Sequence, residues 1–172
     1  MMDRDQLKEA QTPLKERYLD DAEAALVTLS AEGELGEGVS CSLSTGRALG
    51  EAGLHPAAGG DGSLLCSGDM LLEALAACAG VTLRAVATSL GIAVEGGTVR
   101  ADGDLDFRGT LAVDRDAPVG FRAIRLRFDL RTEADEEEVA TLLKLTERYC
   151  VVLQTLAGSP ELTTSVAVAQ AD

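Results

Sequence analysis

The chain has 172 residues, the size of an ordinary single domain, and a domain of this length can bury a substantial hydrophobic core. Its 15 Lys and Arg residues are outnumbered by 29 Asp and Glu residues, which gives a formal net charge of -14. Because such a charge repels phosphate backbones and anionic lipid surfaces, we expect neither a nucleic-acid partner nor a membrane partner.

The N-terminus shows no sign of an export signal or a membrane anchor. Residues 1–10 are charged from the third residue onward and lack the apolar stretch of a secretion signal. The longest apolar run, residues 70–81, contains Glu73 and is too short to span a bilayer. We therefore expect a soluble, cytoplasmic protein.

The N-terminal third predicts a helical extension followed by strands. Residues 5–19 have the pattern of a charged helix that is interrupted near Pro13. We divide the chain into an N-terminal helical extension, residues 1–25, and one domain, residues 26–172. At the start of that domain, short alternating apolar runs predict two hairpin strands, ALVTLSAEGEL and GVSCSLSTGRAL.

A loop follows over residues 51–69, which are rich in Gly, Pro and Asp and show neither the helical nor the strand period. Loops this long often carry function. His55 lies in this loop, before a proline, and two interpretations stay open. It is either an ordinary loop residue or a polar group near the mouth of a site, because the loop leads into the next helix.

That helix is predicted over residues 69–91. Ser67 or Asp69 can cap its N-terminus, Glu73 lies in its first turns, and Gly91 is a usual terminator. Apolar residues occupy nearly every face of its first half. We expect such a helix to be buried on all sides, by its own sheet and by a partner subunit.

The second half of the chain predicts two strands, a helix and a last strand. Strand patterns cover residues 92–113 and 121–134, separated by a turn, and the second alternates apolar with charged residues. Residues 135–150 predict a helix, with acids at its start and bases near its end. Residues 162–169, LTTSVAVA, predict a final strand.

Four cysteines are scattered along a chain that is too long for a disulfide miniprotein: Cys41, Cys66, Cys78 and Cys150. In a reducing compartment we expect free thiols. Structural zinc sites have paired ligands at close spacing, and His55 is the only histidine, so we expect no metal and no other bound cofactor.

Two interpretations of Cys78, in the stretch ALAACAGVT, stay open. Free cysteine often packs as a small hydrophobe, and the same holds for Cys41 and Cys66. A reactive thiol must instead ionise beside a cation, a metal or a helix N-terminus. Cys78 lies too far along its helix for that helix's own N-terminus to help, so a reactive Cys78 requires a cation from elsewhere.

Arg47 is the cation that we favour, and Arg84, at i+6 on the same helix, lies on another face. Cys150 shares one face of the second helix with three residues at +4, +3, +4 spacing: Val139, Leu143 and Thr146. It therefore points inward at the negative end of a helix dipole, which disfavours its thiolate. This asymmetry suits an attacking thiol at Cys78 and a resolving thiol at Cys150.

The segments LLEALAACAGVTLRAVATSLGI and LTERYCVVLQTL resemble the OsmC/Ohr family of thiol peroxidases, in which one cysteine lies inside an Ala-rich helix and another ends a later helix. The resemblance covers roughly residues 26–168. It implies an α+β fold in which antiparallel sheets wrap two central helices. It also implies an intertwined homodimer with its sites at the interface.

The resemblance implies roles for three residues. By motif, Cys78 matches the peroxidatic cysteine, which attacks a peroxide and becomes a sulfenic acid. Cys150 matches the resolving cysteine, which converts that sulfenic acid into an intramolecular disulfide. Arg47 matches an arginine that, with a glutamate, shapes the peroxidatic site.

The chain departs from the family pattern at two places. Relatives that resemble organic hydroperoxide reductases have Pro-Glu-Gln about ten residues before the first cysteine, where this chain has Ser67-Gly68-Asp69. Asp69 or Glu73 would have to replace the glutamate. The proline that usually follows the second cysteine is Val151 here.

Two functions follow from these observations. The first is a peroxidase acting on organic hydroperoxides, or on hydrogen peroxide, and regenerated by a small dithiol or a dithiol protein; the two cysteines and the arginine favour it. The second is a non-enzymatic binding module of the same fold, which holds a small apolar ligand at the dimer interface while both thiols stay structural. The missing glutamate favours the second.

Overall fold

The computed structural model describes most of the chain from Leu49 onward and parts of the chain before it. The described residues are 4–6, 9, 12, 32–35, 40–44, 49–112 and 114–168. Residues 4–6, 9 and 12 are helical, in line with the predicted N-terminal helix. Pro13 and the proposed boundary at residue 25 lie outside the described residues, so the division into extension and domain stays a prediction.

The first sheet has four strands in the order β1-β2-β3-β4. They are β1 (Glu32–Leu35), β2 (Ser40–Ser44), β3 (Leu49–Gly53) and β4 (Leu65–Cys66). The first three form an antiparallel meander, and β3 and β4 pair in parallel. Cys41 lies on β2, as predicted, at the register position between Leu35 and Ala52.

The segment predicted as a loop over residues 51–69 is more ordered than expected. It contains the end of β3, a 3-10 turn at Pro56–Ala58 and all of β4. These elements escaped detection because they are short: β4 has two residues, and β3 carries glycine and alanine in place of alternating large apolar residues.

Helix α1 (Ser67–Leu90) has 24 residues and begins two residues earlier than predicted. Its N-cap is Cys66, whose side chain makes no capping hydrogen bond, so the predicted cap by Ser67 or Asp69 is wrong. The predicted end is correct. Gly91 adopts φ = +75°, a conformation that glycine tolerates without strain, and its N–H donates to the last carbonyl groups of the helix.

One face of α1 is buried within this chain, formed by residues at intervals of four: Leu75, Ala79, Leu83 and Ala87. The other faces are open, and Val81 is 72% exposed. By length and composition α1 could cross a membrane, a test that core helices also pass. One protomer does not bury α1 on all sides, so the predicted burial requires the expected partner subunit.

The second sheet is a hairpin of β5 (Val94–Asp104) and β6 (Ala123–Thr132). Burial alternates along β6, as predicted from its sequence. The apolar side chains of β6 face α1 and its neighbours, and its arginines face outward, where Arg127 pairs with Asp129. The hairpin therefore covers one side of the central helix.

The chain between β5 and β6 contains a one-turn helix, α2 (Phe107–Thr110), where a strand was predicted. Asp106 caps this turn by accepting a hydrogen bond from the backbone N–H of Arg108. The Arg108 guanidinium also donates to both carboxylate oxygens of Asp106, at 3.0 and 2.6 Å. Chiefly because of these hydrogen bonds, the pKa of Asp106 is lowered to about 2.

Two helices complete the described fold. Helix α3 (Glu136–Tyr149) begins at a capping box, in which Asp135 and Glu138 each accept the other's backbone N–H. Helix α4 (Val151–Gly158) follows after a single residue and was not predicted. Residues 159–168 have no regular secondary structure, so the final strand predicted from residue 162 is wrong over its described residues. The alternating pattern is present, but no described strand pairs with it.

Acid should destabilise this fold partly through Asp106. Its folded pKa of about 2 lies below the usual unfolded value of about 3.9, so its contribution to stability is present above pH 4 and is lost as the pH falls towards 2. Asp106→Asn should therefore lower Tm at pH 7 and flatten the fall in Tm between pH 4 and pH 2. Thermal denaturation followed by circular dichroism measures both, with Asp116→Asn, at an exposed carboxylate on the same connection, as the control. Parallel Tm curves for wild type and Asp106→Asn would contradict the assignment.

Candidate functional site

Cys78 of α1 and Cys150, between α3 and α4, lie side by side in the core. Both are free thiols. Cys78 is half-buried, and Cys150 is completely buried against Leu75 and Ala79 of α1. The two side chains pack in one core cluster, and each shifts the pKa of the other. The structure thus brings together the two cysteines that the sequence singled out.

Cys150 occupies a junction between two helices. Its N–H donates to Thr146 at 2.9 Å, which closes α3, and its carbonyl accepts from the N–H of Gln154 at 2.9 Å, which opens α4. Between these bonds its backbone is extended, with φ = -73° and ψ = 104°. The Gln154 side chain donates to the Glu147 carbonyl at 2.9 Å and so satisfies one of the free carbonyl groups at the end of α3.

The N-terminus of α4 stabilises the thiolate of Cys78. Burial by itself raises the pKa of this thiol, but hydrogen bonds from the Val152 N–H, the Cys150 and Thr82 side chains and the Val151 N–H outweigh it, so the pKa is lowered. The first amides of a helix are free donors at the positive end of its dipole. The expectation that no helix N-terminus is available to Cys78 is therefore wrong, and the contribution of a cation from Arg47, which lies outside the described residues, stays a prediction.

Cys150 has the opposite preference. Burial raises its pKa, and its interactions with Cys78 raise it further, while the N–H groups of Leu153 and Val152 only partly compensate. The direction agrees with the asymmetry expected from the sequence, but the cause differs. Cys150 lies at the end of one helix and the start of another, and its burial decides the outcome.

The acids suggested as replacements for the family glutamate do not reach Cys78 within one chain. Asp69 and Glu73 are both exposed on α1. At 3.6 residues per turn they project about 180° and about 140° away from Cys78. Arg84 also lies on another face, as expected, and its guanidinium donates to the Val94 carbonyl at 2.5 Å. Arg47 lies outside the described residues.

His55 is held at the surface loop. Its Nδ1 accepts a hydrogen bond from the Ala57 N–H at 3.0 Å, and its ring stacks on Phe107 with centroids 5.0 Å apart. Neither contact connects it to Cys78. Its described contacts therefore fit an ordinary loop residue, whose ring links the 3-10 turn to α2.

Sequence reasoning missed two parts of this site. Thr82 follows Cys78 by one helical turn, a spacing that was visible in ALAACAGVT. The α4 amides were missed because α4 was not predicted. The available signal was the apolar run of residues 151–157 followed by Gly158, Ser159 and Pro160, a combination that typically ends a helix.

A groove of about 730 Å³, lined mainly by apolar side chains, lies next to the core that contains Cys150. Four residues belong both to its lining and to the core around Cys150: Leu75, Phe128, Leu153 and Leu156. Among the described residues, no group of three or more His, Cys, Asp or Glu side chains is arranged to hold a metal ion.

The family model described as OsmC-like protein matches residues 60–165, more than half of the chain, and the match includes both cysteines. The chain belongs to the OsmC-like family. This confirms the family suggested by the two cysteine-bearing segments. A comparison with curated protein sequences gives no match.

Solved structures confirm the α+β fold class of this OsmC-like protein. An OsmC-like protein from Mycoplasma pneumoniae has a TM-score of 0.65 at 19% identity, covering 77% of this chain and 89% of its own. An organic hydroperoxide resistance protein OsmC from Legionella pneumophila has a TM-score of 0.61 at 19% identity, covering 77% and 91%. The organic hydroperoxide resistance protein OhrB of Bacillus subtilis has a TM-score of 0.53 at 17% identity, covering 77% and 92%.

Replacing Thr82 should weaken the thiolate of Cys78. Thr82→Val removes the hydroxyl with little change in shape, whereas Thr82→Ser keeps the hydroxyl. Since the Thr82 hydroxyl is one of several donors that lower the pKa of Cys78, alkylation of Cys78 by iodoacetamide at pH 7 should slow several-fold in Thr82→Val and little in Thr82→Ser. Peptide mass spectrometry over a pH series measures the rates. Identical pH profiles for Thr82→Val and wild type would exclude this role.

Proposed function

We propose that this OsmC-like protein is a cysteine-based peroxidase that reduces organic hydroperoxides. The Cys78 thiolate attacks the terminal oxygen of the hydroperoxide, the O–O bond breaks, and an alcohol leaves after its oxygen takes a proton. Cys78 becomes a sulfenic acid. The Cys150 thiol then attacks the Cys78 sulfur, water leaves, and a disulfide joins the two residues.

One observation carries this proposal: the thiolate-favouring Cys78 lies against a second thiol at the N-terminus of α4. A peroxidatic cysteine needs an ionised sulfur, because the thiolate is the nucleophile. It also needs a nearby thiol to convert the sulfenic acid before further oxidation. A cysteine that served only as a small hydrophobe would need neither feature.

Family membership supports the proposal at a coarser level. Three of the similar structures carry the name organic hydroperoxide resistance protein. For the leaving oxygen we assign the positive charge to Arg47, which follows Gly46 in the early hairpin segment. An external dithiol would reduce the disulfide, and a reducing cytoplasm would suit thiols that are free at rest.

A second copy of the chain is part of this proposal. The central helix α1 is open on the side of Val81, and a core helix of this composition favours burial. A partner would also provide a route for a carboxylate to reach the site, since Asp69 and Glu73 point away from Cys78 of their own chain. We therefore propose a homodimer that covers α1.

The alternative is a binding module without peroxidase activity. The groove favours it, because a volume of about 730 Å³, lined mainly by apolar side chains together with Arg122, Arg127 and Glu147, is within the range of small-ligand sites. In that case both thiols would pack in the core next to the groove without reacting. The two functions differ in whether a hydroperoxide is consumed.

The cysteine variants should separate the two functions. One equivalent of cumene hydroperoxide should be consumed by the reduced wild type, with loss of two hydrogens in the intact mass. Cys150→Ser should consume peroxide and hold a sulfenic acid, trapped with dimedone. Cys78→Ser should consume at least tenfold less. Cys66→Ala, at a half-buried cysteine that caps α1, is the matched control and should behave as wild type.

The same assay tests the arginine. Arg47→Met should slow peroxide consumption by about tenfold or more, whereas Arg47→Lys, which keeps the charge, should retain more of the rate. Equal peroxide consumption by Cys78→Ser and wild type would refute a peroxidase that acts through Cys78 and would favour the binding module. A disulfide to Cys41 or Cys66 in place of Cys150 would refute the resolving role of Cys150.

The dimer should be visible in sedimentation. We expect a dimer at micromolar concentration whose dissociation is coupled to unfolding. Val81→Glu should weaken it by placing a charge on the open face of α1, and Val119→Glu, at a 65% exposed position on the β5–β6 connection, is the control. A folded wild-type monomer at micromolar concentration would overturn the proposed dimer.

A further inference from the structure

The two sulfurs of the cysteine pair differ in how easily a second molecule can reach them. Cys150 is 0% exposed within its own chain, enclosed by Leu75, Ala79 and the apolar residues of α4. Cys78 is half-buried. The enclosure of Cys150 comes from its own protomer, so no choice of assembly opens it.

Reduction of a disulfide requires direct attack on one of its two sulfurs. An incoming thiolate approaches along the sulfur–sulfur axis, opposite the sulfur that will leave, so the attacked sulfur must be open on its far side. Cys150 offers no such approach without local unfolding. The route that brings a hydroperoxide to Cys78 in the proposed function also serves a small thiol.

We propose that the external dithiol attacks the oxidised protein at the sulfur of Cys78, so that the intermolecular mixed disulfide forms on Cys78 and not on Cys150. This inference rests on the proposed function. The first thiolate of the dithiol bonds to Cys78, the Cys78–Cys150 bond breaks, and its electron pair goes to Cys150, which then takes a proton. The second thiolate attacks the reductant's own sulfur in the mixed disulfide and releases Cys78 as a thiolate. Two electrons pass from the dithiol to the protein, and the dithiol becomes a disulfide.

The N-terminus of α4 assists both departures. The N–H groups of Leu153 and Val152 act to lower the pKa of Cys150, and those of Val152 and Val151 act to lower the pKa of Cys78. Each leaving sulfur therefore finds amide donors without a rearrangement of the helix. In an open disulfide, the more acidic thiol would be the better leaving group, and attack would favour Cys150. In this protein burial closes Cys150 to attack, so the external thiolate attacks Cys78 instead. The lowered pKa of Cys78 makes it a good leaving group in the second step, when the mixed disulfide is resolved.

The test determines which of the two cysteines forms a mixed disulfide with an added monothiol. Reduced full-length protein is treated with one equivalent of diamide, which oxidises the two thiols to a disulfide without any hydroperoxide, and the remaining thiols are blocked with N-ethylmaleimide. N-acetylcysteine is then added, since a monothiol stops at the mixed disulfide. After acid quenching and relabelling of the freed thiol, peptide mass spectrometry should find the adduct on Cys78 in about tenfold or greater excess over Cys150.

The unfolded protein is the control for intrinsic reactivity. In guanidinium chloride both sulfurs are open, and adducts should appear on both peptides. An adduct mainly on Cys150, equal adducts in the folded protein, or reduction by dithiothreitol without any monothiol adduct on Cys78 would overturn the inference. So would failure of diamide to join Cys78 to Cys150. Because diamide makes the disulfide, a protein that consumes no hydroperoxide would refute the peroxidase and still report which sulfur is attacked.

Discussion

The backbone break at Cys150 is the constraint on which the site depends. One residue ends α3 and begins α4, and its extended conformation redirects the chain so that the free amides of α4 meet the side chain of Cys78. A continuous helix through this position would have used those amides in its own hydrogen bonds. The break therefore places the positive end of the α4 dipole next to Cys78. The described residues of the core cluster around the two cysteines are apolar and carry no charge.

The rest of the described fold holds this junction in place. The stripe of α1 that begins at Leu75 packs against the inner face of the β5–β6 hairpin and against α3 and α4. Leu142 and Thr146 lie on the buried face of α3 that ends at Cys150. Since the core is close-packed, the position of one cysteine determines that of the other.

Burial and hydrogen bonding shift the pKa of each thiol in opposite directions, and the balance differs between Cys78 and Cys150. Desolvation raises the pKa of both, but Cys78 receives enough donors to reverse it and Cys150 does not. In the proposed reaction, the lowered pKa of Cys78 favours its thiolate as the attacking sulfur, and the raised pKa of Cys150 favours its protonated form. The burial that raises the pKa of Cys150 also shields it from outside molecules.

The sequence by itself determined the fold family, the α+β class, the two main helices and the alternation of β6, because these rest on long periodic patterns and on two cysteine-bearing motifs. It also selected Cys78 and Cys150. Only the tertiary structure decided what surrounds them. The α4 amides that stabilise Cys78 lie far from it in the chain, the eight-residue α4 is too short for a clear period, and burial of Cys150 depends on α1. The failure of the final strand has the same origin, since a strand exists only with a neighbour to pair with, and pairing is a property of the folded molecule.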